Sequence, residues 1–190
     1  MKNRSRSQLK TVKGRVISGS KIRLRDKKLA DAPDDYNWQT NPELAQLDAV
    51  PRLTITFSQY LSEYASELRN PSPARRLFAV ETLDGKHIGN CVYYGVNETK
   101  GEAELGIMVG ECDYWDKGYG TDAVTTLVSY IFRQTNLNRI FLKTLDDNHR
   151  AQKCFEKCDF SPYRHMVRDG FRFVLMEIYR KQWQEKQAET

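Results

Sequence analysis

The spacing of apolar residues along the chain changes repeatedly between the period of a strand and that of a helix. Apolar residues at every second position are typical of a strand with one buried face, and spacings of three and four are typical of a helix. From the amino end, the pattern predicts two short strands within 11–25, short helices over 27–35 and 42–48, and a longer helix over 56–68.

The middle of the chain has the pattern of a hairpin followed by a third strand. Two strand-like stretches, 75–82 and 87–96, are separated by an Asp-Gly pair that predicts a two-residue type I′ turn. Alternation over 103–110 predicts the next strand. The carboxylates of Glu102 and Glu104 fall on one face of that strand, and the opposite face is apolar.

The last third of the chain alternates helix and strand. The pattern predicts, in order, a helix over 121–133, a strand over 139–145, a helix over 147–157, and two strands over 160–167 and 171–179 that meet at an Asp-Gly pair. This order indicates an α/β (α+β) fold around a mixed sheet. A chain of 190 residues with 39% hydrophobic content is predicted to form one globular domain.

Two glycines, Gly118 and Gly120, stand directly before the helix predicted over 121–133. Unpaired backbone N–H groups at a helix start attract anions, and glycine lets a phosphate approach the backbone. With Ala123 the glycines also fit a dinucleotide-binding fingerprint, G-x-G-x-x-A. However, the preceding strand is predicted to end near Val109, and Asp146 stands beyond the spacing of about 20 residues that a ribose-binding acid requires. The alternative is a loop that holds the pyrophosphate of coenzyme A.

Basic residues are concentrated at the amino end. Residues 1–28 contain eleven of the 30 Lys and Arg residues and one of the 25 acidic residues, so this segment carries +10 and the rest of the chain −5. We therefore expect a basic N-terminal extension over 1–15, a domain over 16–183 and a polar tail over 184–190. The body is not the basic surface that nucleic-acid binders present, so no nucleic-acid partner is expected.

Neither membrane insertion nor secretion is predicted. The chain contains no apolar run of about 18 residues, and its amino end lacks the apolar centre of a secretory signal, so a cytoplasmic protein is expected. The four cysteines form no C-x-x-C pair and have no histidine at ligand spacing. Reduced thiols and no metal site are the expectation, with Cys154 and Cys158 one helical turn apart.

Four motifs in sequence order resemble the GNAT superfamily of acetyltransferases, in its branch of ribosomal-protein N-terminal and spermidine acetyltransferases. The likeness runs from about Lys21 to Trp183 and is carried by KIRLRDKKLADA, YNWQTNPEL, AELGIMV followed by YWDKGYGTDA, and DDNHRAQKCFEKCDF. The resemblance implies a single GNAT-like domain whose central sheet is mostly antiparallel, splayed in the middle and flanked by helices.

The resemblance also implies acetyl-CoA as co-substrate and assigns residues to it. The loop is expected to hold the pyrophosphate through Lys117, Gly118, Tyr119, Gly120 and Thr121. The main chain of Ile107, Met108 and Val109 is expected to pair with the pantetheine arm. Further cofactor contacts are implied at Trp115, Asn148 and Phe155. Phe155 replaces the tyrosine that often protonates the leaving thiolate, and Asp116 stands where the loop usually has a first glycine.

The expected reaction is acetyl transfer to a primary amine by direct attack, without a metal or a covalent enzyme intermediate. Glu104 is the candidate general base and Glu102 the second choice, with the alternative that Glu104 is a solvated carboxylate. Trp38 and Glu104 are expected to contact the acceptor. A protein N-terminal α-amine is the first choice of acceptor, because it deprotonates more easily than a lysine-like amine.

Other interpretations remain open at this point. The acceptor could be a polyamine or another small-molecule amine, and the loss of the tyrosine at Phe155 could mark a non-catalytic acetyl-CoA-binding module. The exposed edge of the last hairpin is compatible with a homodimer.

Overall fold

The computed structural model describes residues 16–189, and the predicted extension over 1–15 lies outside them. The strands in this part of the chain are β1 (Ile17–Ser18), β2 (Ile22–Arg25), β3 (Arg75–Thr82), β4 (His87–Asn97), β5 (Glu102–Val109), β6 (Arg139–Leu145), β7 (Ser161–Arg168) and β8 (Phe171–Tyr179). The α-helices are α1 (Ala32–Thr40), α2 (Pro42–Leu47), α3 (Phe57–Arg69), α4 (Tyr119–Gln134), α5 (His149–Glu156) and α6 (Arg180–Glu189).

All eight strands of this region join one sheet in the order β1-β2-β3-β4-β5-β6-β8-β7. Neighbouring strands are antiparallel except for β5 and β6, which are parallel and are connected through α4. The expected single α/β domain with a mixed, mostly antiparallel sheet is therefore confirmed.

The sheet opens in its middle, between β5 and β6. The two strands pair only over Glu102–Glu104 and Arg139–Phe141, whereas β5 continues to Val109 and β6 to Leu145. Beyond Glu104 the two strands therefore separate, and one edge of β5 is left without a partner strand. We call this opening the sheet gap.

Helix α4 covers one face of the sheet and supplies much of the core. Its buried apolar residues recur at helical spacing and are Ala123, Val124, Leu127, Val128, Ile131 and Phe132. They pack against strand residues that are equally inaccessible to solvent, such as Ile22, Phe78 and Ile140. Burial of each large aliphatic side chain contributes about 1.5–3 kcal/mol, so this interface fixes the position of α4 on the sheet.

A carboxylate in the first turn of α4 joins that helix to the start of the chain. Asp122 accepts hydrogen bonds from the backbone N–H groups of Ser20, Lys21 and Ile22 at 3.0, 2.7 and 3.1 Å. A Cβ at Gly19 would lie 2.4 Å from Asp122 Oδ2, so only glycine fits at that position. These hydrogen bonds connect the amino end of α4 to the backbone at the start of β2.

The other face of the sheet carries a buried ionic network beneath α1. Lys27 Nζ donates to Asp35 Oδ2 at 2.7 Å and to Asn90 Oδ1 at 2.5 Å, and lies 3.1 Å from His87 Nε2. Burial lowers the pKa of Lys27, and the nearby carboxylates oppose that shift. Because breaking such a buried pair leaves an uncompensated charge, the network fixes α1 on β4.

Two local expectations from the sequence were wrong, and two others differ in detail. The first hairpin has a three-residue connection over Leu83–Gly85 in which only Gly85 has positive φ, so the turn is not type I′. The helix predicted over 27–35 is a 3₁₀ turn over Leu29–Asp31 followed by α1, because buried Asp31 bonds to Lys28 and Arg25 instead of starting a regular helix.

The two remaining differences concern helix ends. Helix α4 begins at Tyr119, two residues before the predicted start, because Gly118 in the left-handed region already ends the loop. The segment expected as a polar tail lies in α6, which is anchored by Trp183 packed on Phe132 with ring centroids 5.5 Å apart.

Candidate active site

A cavity of about 350 Å³ lies at the sheet gap. Its walls are the end of β5, the amino end of α4, one face of α5 and the carboxyl end of α2. We call it the central cavity. It brings together residues from four segments that are far apart in sequence.

The loop before α4 borders the cavity with the geometry of an anion site. Gly118 is the residue before the helix and has φ of +84°, a conformation that costs other L-residues about 1–2 kcal/mol. Gly120 and Thr121 follow in the first turn and also line the cavity. The N–H groups of a first helical turn have no partner within the helix, so they can bind a phosphate here.

The two other predicted loop residues do not line the cavity. The Lys117 carbonyl accepts a hydrogen bond from Lys21 Nζ at 2.9 Å, and the Tyr119 ring packs against Tyr114 at 4.9 Å. Lys21 Nζ also lies 3.7 Å from the position of a Cβ on Gly118. This lysine from the start of β2 therefore adds a positive charge to the loop that its place in the sequence did not indicate.

Asp116 also lines the cavity, at the position where the family pattern has a glycine. It has φ of +57°, which explains the preference for glycine there. Aspartate tolerates this region better than most residues, because its short side chain can bond locally.

The free edge of β5 presents only every second residue to the gap. The Met108 carbonyl faces β4, since it lies 2.2 Å from where a Cβ on Gly89 would be. Alternation along the strand therefore turns the main chain of Ile107 and Val109 toward the gap. Met108 contributes to the cavity wall, but its main chain is directed to β4.

Trp115 connects the loop before α4 to the end of β5. Its indole Nε1 donates to the Val109 carbonyl at 2.7 Å, and the guanidinium of Arg150 lies 3.3 Å from the ring centroid. The Val109 carbonyl is thus already bonded, which leaves the Val109 N–H and the Ile107 main chain for an extended ligand. The stacked Arg150 places a positive charge directly over the cavity wall.

Helix α5 borders the cavity with its N-cap residue and with three basic side chains. Asn148 is its N-cap, accepts from the Ala151 N–H at 3.1 Å and lines the cavity. Phe155 is 6% exposed and packs against Phe160 at a centroid separation of 6.1 Å. Arg150, Lys153 and Lys157 share the cavity-facing side of the helix.

Neither candidate base lines the cavity, and each of the two carboxylates is paired with a cation. Glu104 Oε1 accepts from Lys143 Nζ at 2.8 Å, and the Tyr94 hydroxyl also bonds to this carboxylate. Burial and this neighbour raise the pKa of Tyr94. Glu102 is held by Arg139 at 2.6 Å in a pair that Glu177 extends. Glu104 is the last residue of β5 that pairs with β6 before the gap, whereas Glu102 lies two residues farther from the gap.

Trp38 lies against the end of β5 rather than in the cavity. It is 4% exposed, stacks on His87 at 4.8 Å, and donates from Nε1 to Glu111 at 3.2 Å. A Cβ at Gly110 would lie 2.1 Å from the indole, so the ring touches the backbone directly after β5. A direct contact between Trp38 and an acceptor therefore stays a prediction.

Several residues of the central cavity were not predicted from the sequence. Arg150, Lys153 and Lys157 are spaced three and four residues apart, which places them on one face of a helix. This spacing was the signal in the sequence that could have assigned them to the same site as Asn148. Leu44, Leu47 and Asp48 come from α2 and its end. Nothing local in the sequence places that helix at the gap, since only the packing of α1 brings it there.

A thiol pair lies where α5 meets α4. Cys154 lines the cavity, and its Sγ is 3.5 Å from the Thr121 hydroxyl. The neighbouring Cys158 thiol lowers the pKa of Cys154, with burial opposing the shift. The Cys158 pKa is raised by the Cys154 thiol and by burial.

We predict that Cys154 reacts with iodoacetamide as a thiolate with a midpoint below that of an ordinary thiol, in a Cys112→Ser background that removes the exposed thiol. Mass spectrometry of the labelled peptide measures the rate at each pH. Acetyl-CoA should slow labelling, because Cys154 lines the cavity. A midpoint close to the ordinary thiol value of about 8.5, or labelling indifferent to acetyl-CoA, would contradict this placement.

Residues 21–161 match the family described as "Acetyltransferase (GNAT) domain". A curated relative, an uncharacterized N-acetyltransferase p20 of Bacillus licheniformis, is 26% identical over 141 residues, which cover 74% of this chain and 79% of the relative. A spermidine N(1)-acetyltransferase of Vibrio cholerae is 28% identical over 98 residues, or 52% of this chain and 56% of that protein.

Solved structures show the same fold. Spermidine N-acetyltransferase from Vibrio cholerae, in complex with CoA and spermine, superposes with a TM-score of 0.76 at 21% identity, covering 87% of this chain and 99% of that chain. The aminoglycoside acetyltransferase AAC(6′)-Ib in complex with coenzyme A gives 0.71 at 21% identity, covering 86% and 98%.

Within residues 16–189, no helix has the length and apolar character needed to cross a membrane. No three His, Cys, Asp or Glu side chains of the same residues come together as metal ligands. The family match covers well over half of the chain and agrees with the splayed sheet and the glycine loop before α4. The chain therefore belongs to the GNAT family of acetyl-CoA-dependent N-acetyltransferases.

Proposed function

We propose that this protein transfers acetyl from acetyl-CoA to a primary amine of a small molecule by direct attack. The observation that carries the proposal is the continuity of the central cavity, which runs from the free amides of α4 past the open edge of β5 to the end of α2. A cofactor with an anionic end and an extended arm fits such a cavity, and the remaining end is left for an acceptor.

The diphosphate would be held by the N–H groups that follow Gly118, with Lys21 and Arg150 nearby as counter-charges. The pantetheine arm would lie along β5 and bond to the main chain of Ile107 and Val109, as an added strand does. Lys153 and Lys157 are placed to attract the remaining phosphate.

When bound, acetyl-CoA supplies a reactive thioester. The amine nitrogen attacks its carbonyl carbon, a C–N bond forms, the C–S bond breaks, and one proton moves from nitrogen to sulfur. Glu104 lies at the start of the sheet gap and is our candidate to accept that proton, directly or through water. Phe155 has no proton to give, so water is the candidate donor to the departing sulfur.

The choice of a small-molecule acceptor departs from the α-amine favoured by the sequence. The similar proteins include a spermidine acetyltransferase and an aminoglycoside acetyltransferase, whose named acceptors are small amines with several ammonium groups. A peptide N-terminus is the competing acceptor, and a non-catalytic acetyl-CoA-binding module is the competing function. Each of these makes a different prediction for turnover.

Turnover tests the proposal directly. Thiol release from acetyl-CoA should be stimulated by a panel of spermidine, 1,4-diaminobutane and kanamycin, and the acetylated amine should appear by mass spectrometry in equal amount. Stimulation by peptides with free N-termini instead would overturn the choice of acceptor. Binding of acetyl-CoA without thiol release across the whole panel would favour the non-catalytic module.

The loop assignment gives a matched pair of variants at Gly120. A Cβ there would lie 3.5 Å from Cys154 Sγ and 3.7 Å from Val109 Cγ2, which are ordinary contacts, so Gly120→Ala should fold normally and keep acetyl-CoA binding within a few-fold. Gly120→Val projects further bulk into the cavity. We expect it to weaken binding about tenfold or more, a loss of ~1.4 kcal/mol, by isothermal titration.

Thermal unfolding of both variants serves as the control for that comparison. If Gly120→Val keeps its unfolding temperature and still binds acetyl-CoA as tightly as Gly120→Ala, the cofactor does not pass this residue and the assignment of the loop is wrong.

A further inference from the structure

The end of the central cavity opposite α5 contains a carboxylate to which no role has been assigned. Asp48 follows the last residue of α2 and lines the cavity together with Leu44 and Leu47. It is accessible to solvent, yet the surrounding walls raise the pKa of its carboxyl, which Lys143 partly opposes.

The backbone holds Asp48 in a fixed position at the helix end. The Ala49 N–H bonds to the Gln46 carbonyl at 3.1 Å, and the Val50 N–H bonds to the Ala45 carbonyl at 3.0 Å. This is the pattern of a Schellman cap, in which glycine is the usual left-handed residue. Ala49 occupies that position with φ of +53°, so the chain accepts a small strain directly beside Asp48.

Asp48 adds a net negative charge at its side of the cavity. Its charged neighbour is Lys143, which is already paired with Glu104 at 2.8 Å. Two carboxylates therefore share one lysine, and among the residues that the structure describes no side chain donates a hydrogen bond to Asp48. A carboxylate that lines the cavity with the apolar Leu44 and Leu47 and shares its lysine in this way favours a cation from solution.

The two ends of the cavity therefore differ in sign. Arg150, Lys153 and Lys157 outnumber Asp116 and make the α5 side positive, where the phosphates of the cofactor are placed. Asp48 makes the α2 side negative, and Glu104 stands at the last paired position before the sheet gap. An acceptor that carries positive charge would be drawn to the α2 end and away from the cofactor phosphates.

We propose that Asp48 binds an ammonium group of the acceptor and makes the enzyme selective for amines that carry a second positive charge. This inference rests on the proposed function. One ammonium stays protonated at Asp48, while a second amine of the same molecule loses its proton and attacks the thioester. Diamines, polyamines and aminoglycosides share this chemistry. A monoamine lacks the second positive charge, and so does a peptide whose only amine is its N-terminus.

The experiment compares Asp48→Asn with wild type on two acceptors of equal length, 1,4-diaminobutane and 1-aminobutane. Loss of one charge-assisted hydrogen bond should raise KM for the diamine by about 10- to 100-fold. KM for the monoamine and kcat for both should change little. Asp48→Glu, which restores the charge, should recover part of the diamine KM.

Glu43→Gln is the matched control. Glu43 is an exposed carboxylate on the same helix that does not line the cavity, so its neutralisation should leave both KM values unchanged. The affinity for acetyl-CoA, measured by isothermal titration, should be equal in all four proteins and reports that each is folded.

An equal KM for the diamine in Asp48→Asn and Glu43→Gln would overturn the inference. A fall in kcat on both acceptors would also overturn it, because Asp48 would then serve the chemical step instead of recognition. If wild type turns over neither amine, the proposed function is decided separately, by turnover of spermidine and kanamycin. In that case, titration of 1,4-diaminobutane into the CoA-bound protein tests whether Asp48 binds the acceptor. Weaker binding to Asp48→Asn than to wild type supports the role of Asp48, and equal binding refutes it.

Discussion

The separation of β5 from β6 is the constraint on which the site depends. The two strands pair over three residues and then diverge, so the main chain of Ile107 and Val109 keeps hydrogen-bonding groups that a continuous sheet would have used. Helix α4 begins at the gap and is fixed there by its buried apolar stripe and by Asp122. The ionic network of Lys27 separately holds α1 on β4.

Charge is arranged along the cavity in the order that the proposed reaction needs. Backbone amides and the α5 cations line one side, the main-chain edge of β5 lines the next part, and Asp48 lines the α2 side, while Glu104 stands outside the lining at the start of the sheet gap. Glu104 is paired with Lys143, whereas no side chain in the described part of the chain donates a hydrogen bond to Asp48. Anionic cofactor and cationic acceptor would thus be separated by electrostatics before any specific contact is made.

The sequence predicted those parts of the site that arise from local patterns. The glycines at 118 and 120, the alternation of β5 and the N-cap at Asn148 each have a signature within a few residues, and all three border the cavity. Asp48 and Lys21 have no such signature, because long-range packing through Asp35 and Asp122 brings them there. The turn at Gly85 was mispredicted because an Asp-Gly pair also fits a three-residue connection with one left-handed residue.

The central claim is that the first amides of α4 hold the diphosphate of acetyl-CoA at the mouth of the sheet gap. A crystal structure with coenzyme A tests it most directly. The account predicts both diphosphate phosphorus atoms within about 4 Å of the backbone nitrogens of residues 118–121, at the distance of N–H hydrogen bonds to phosphate oxygens. Coenzyme A bound with its diphosphate on another surface, and with the gap beside β5 empty, would contradict it.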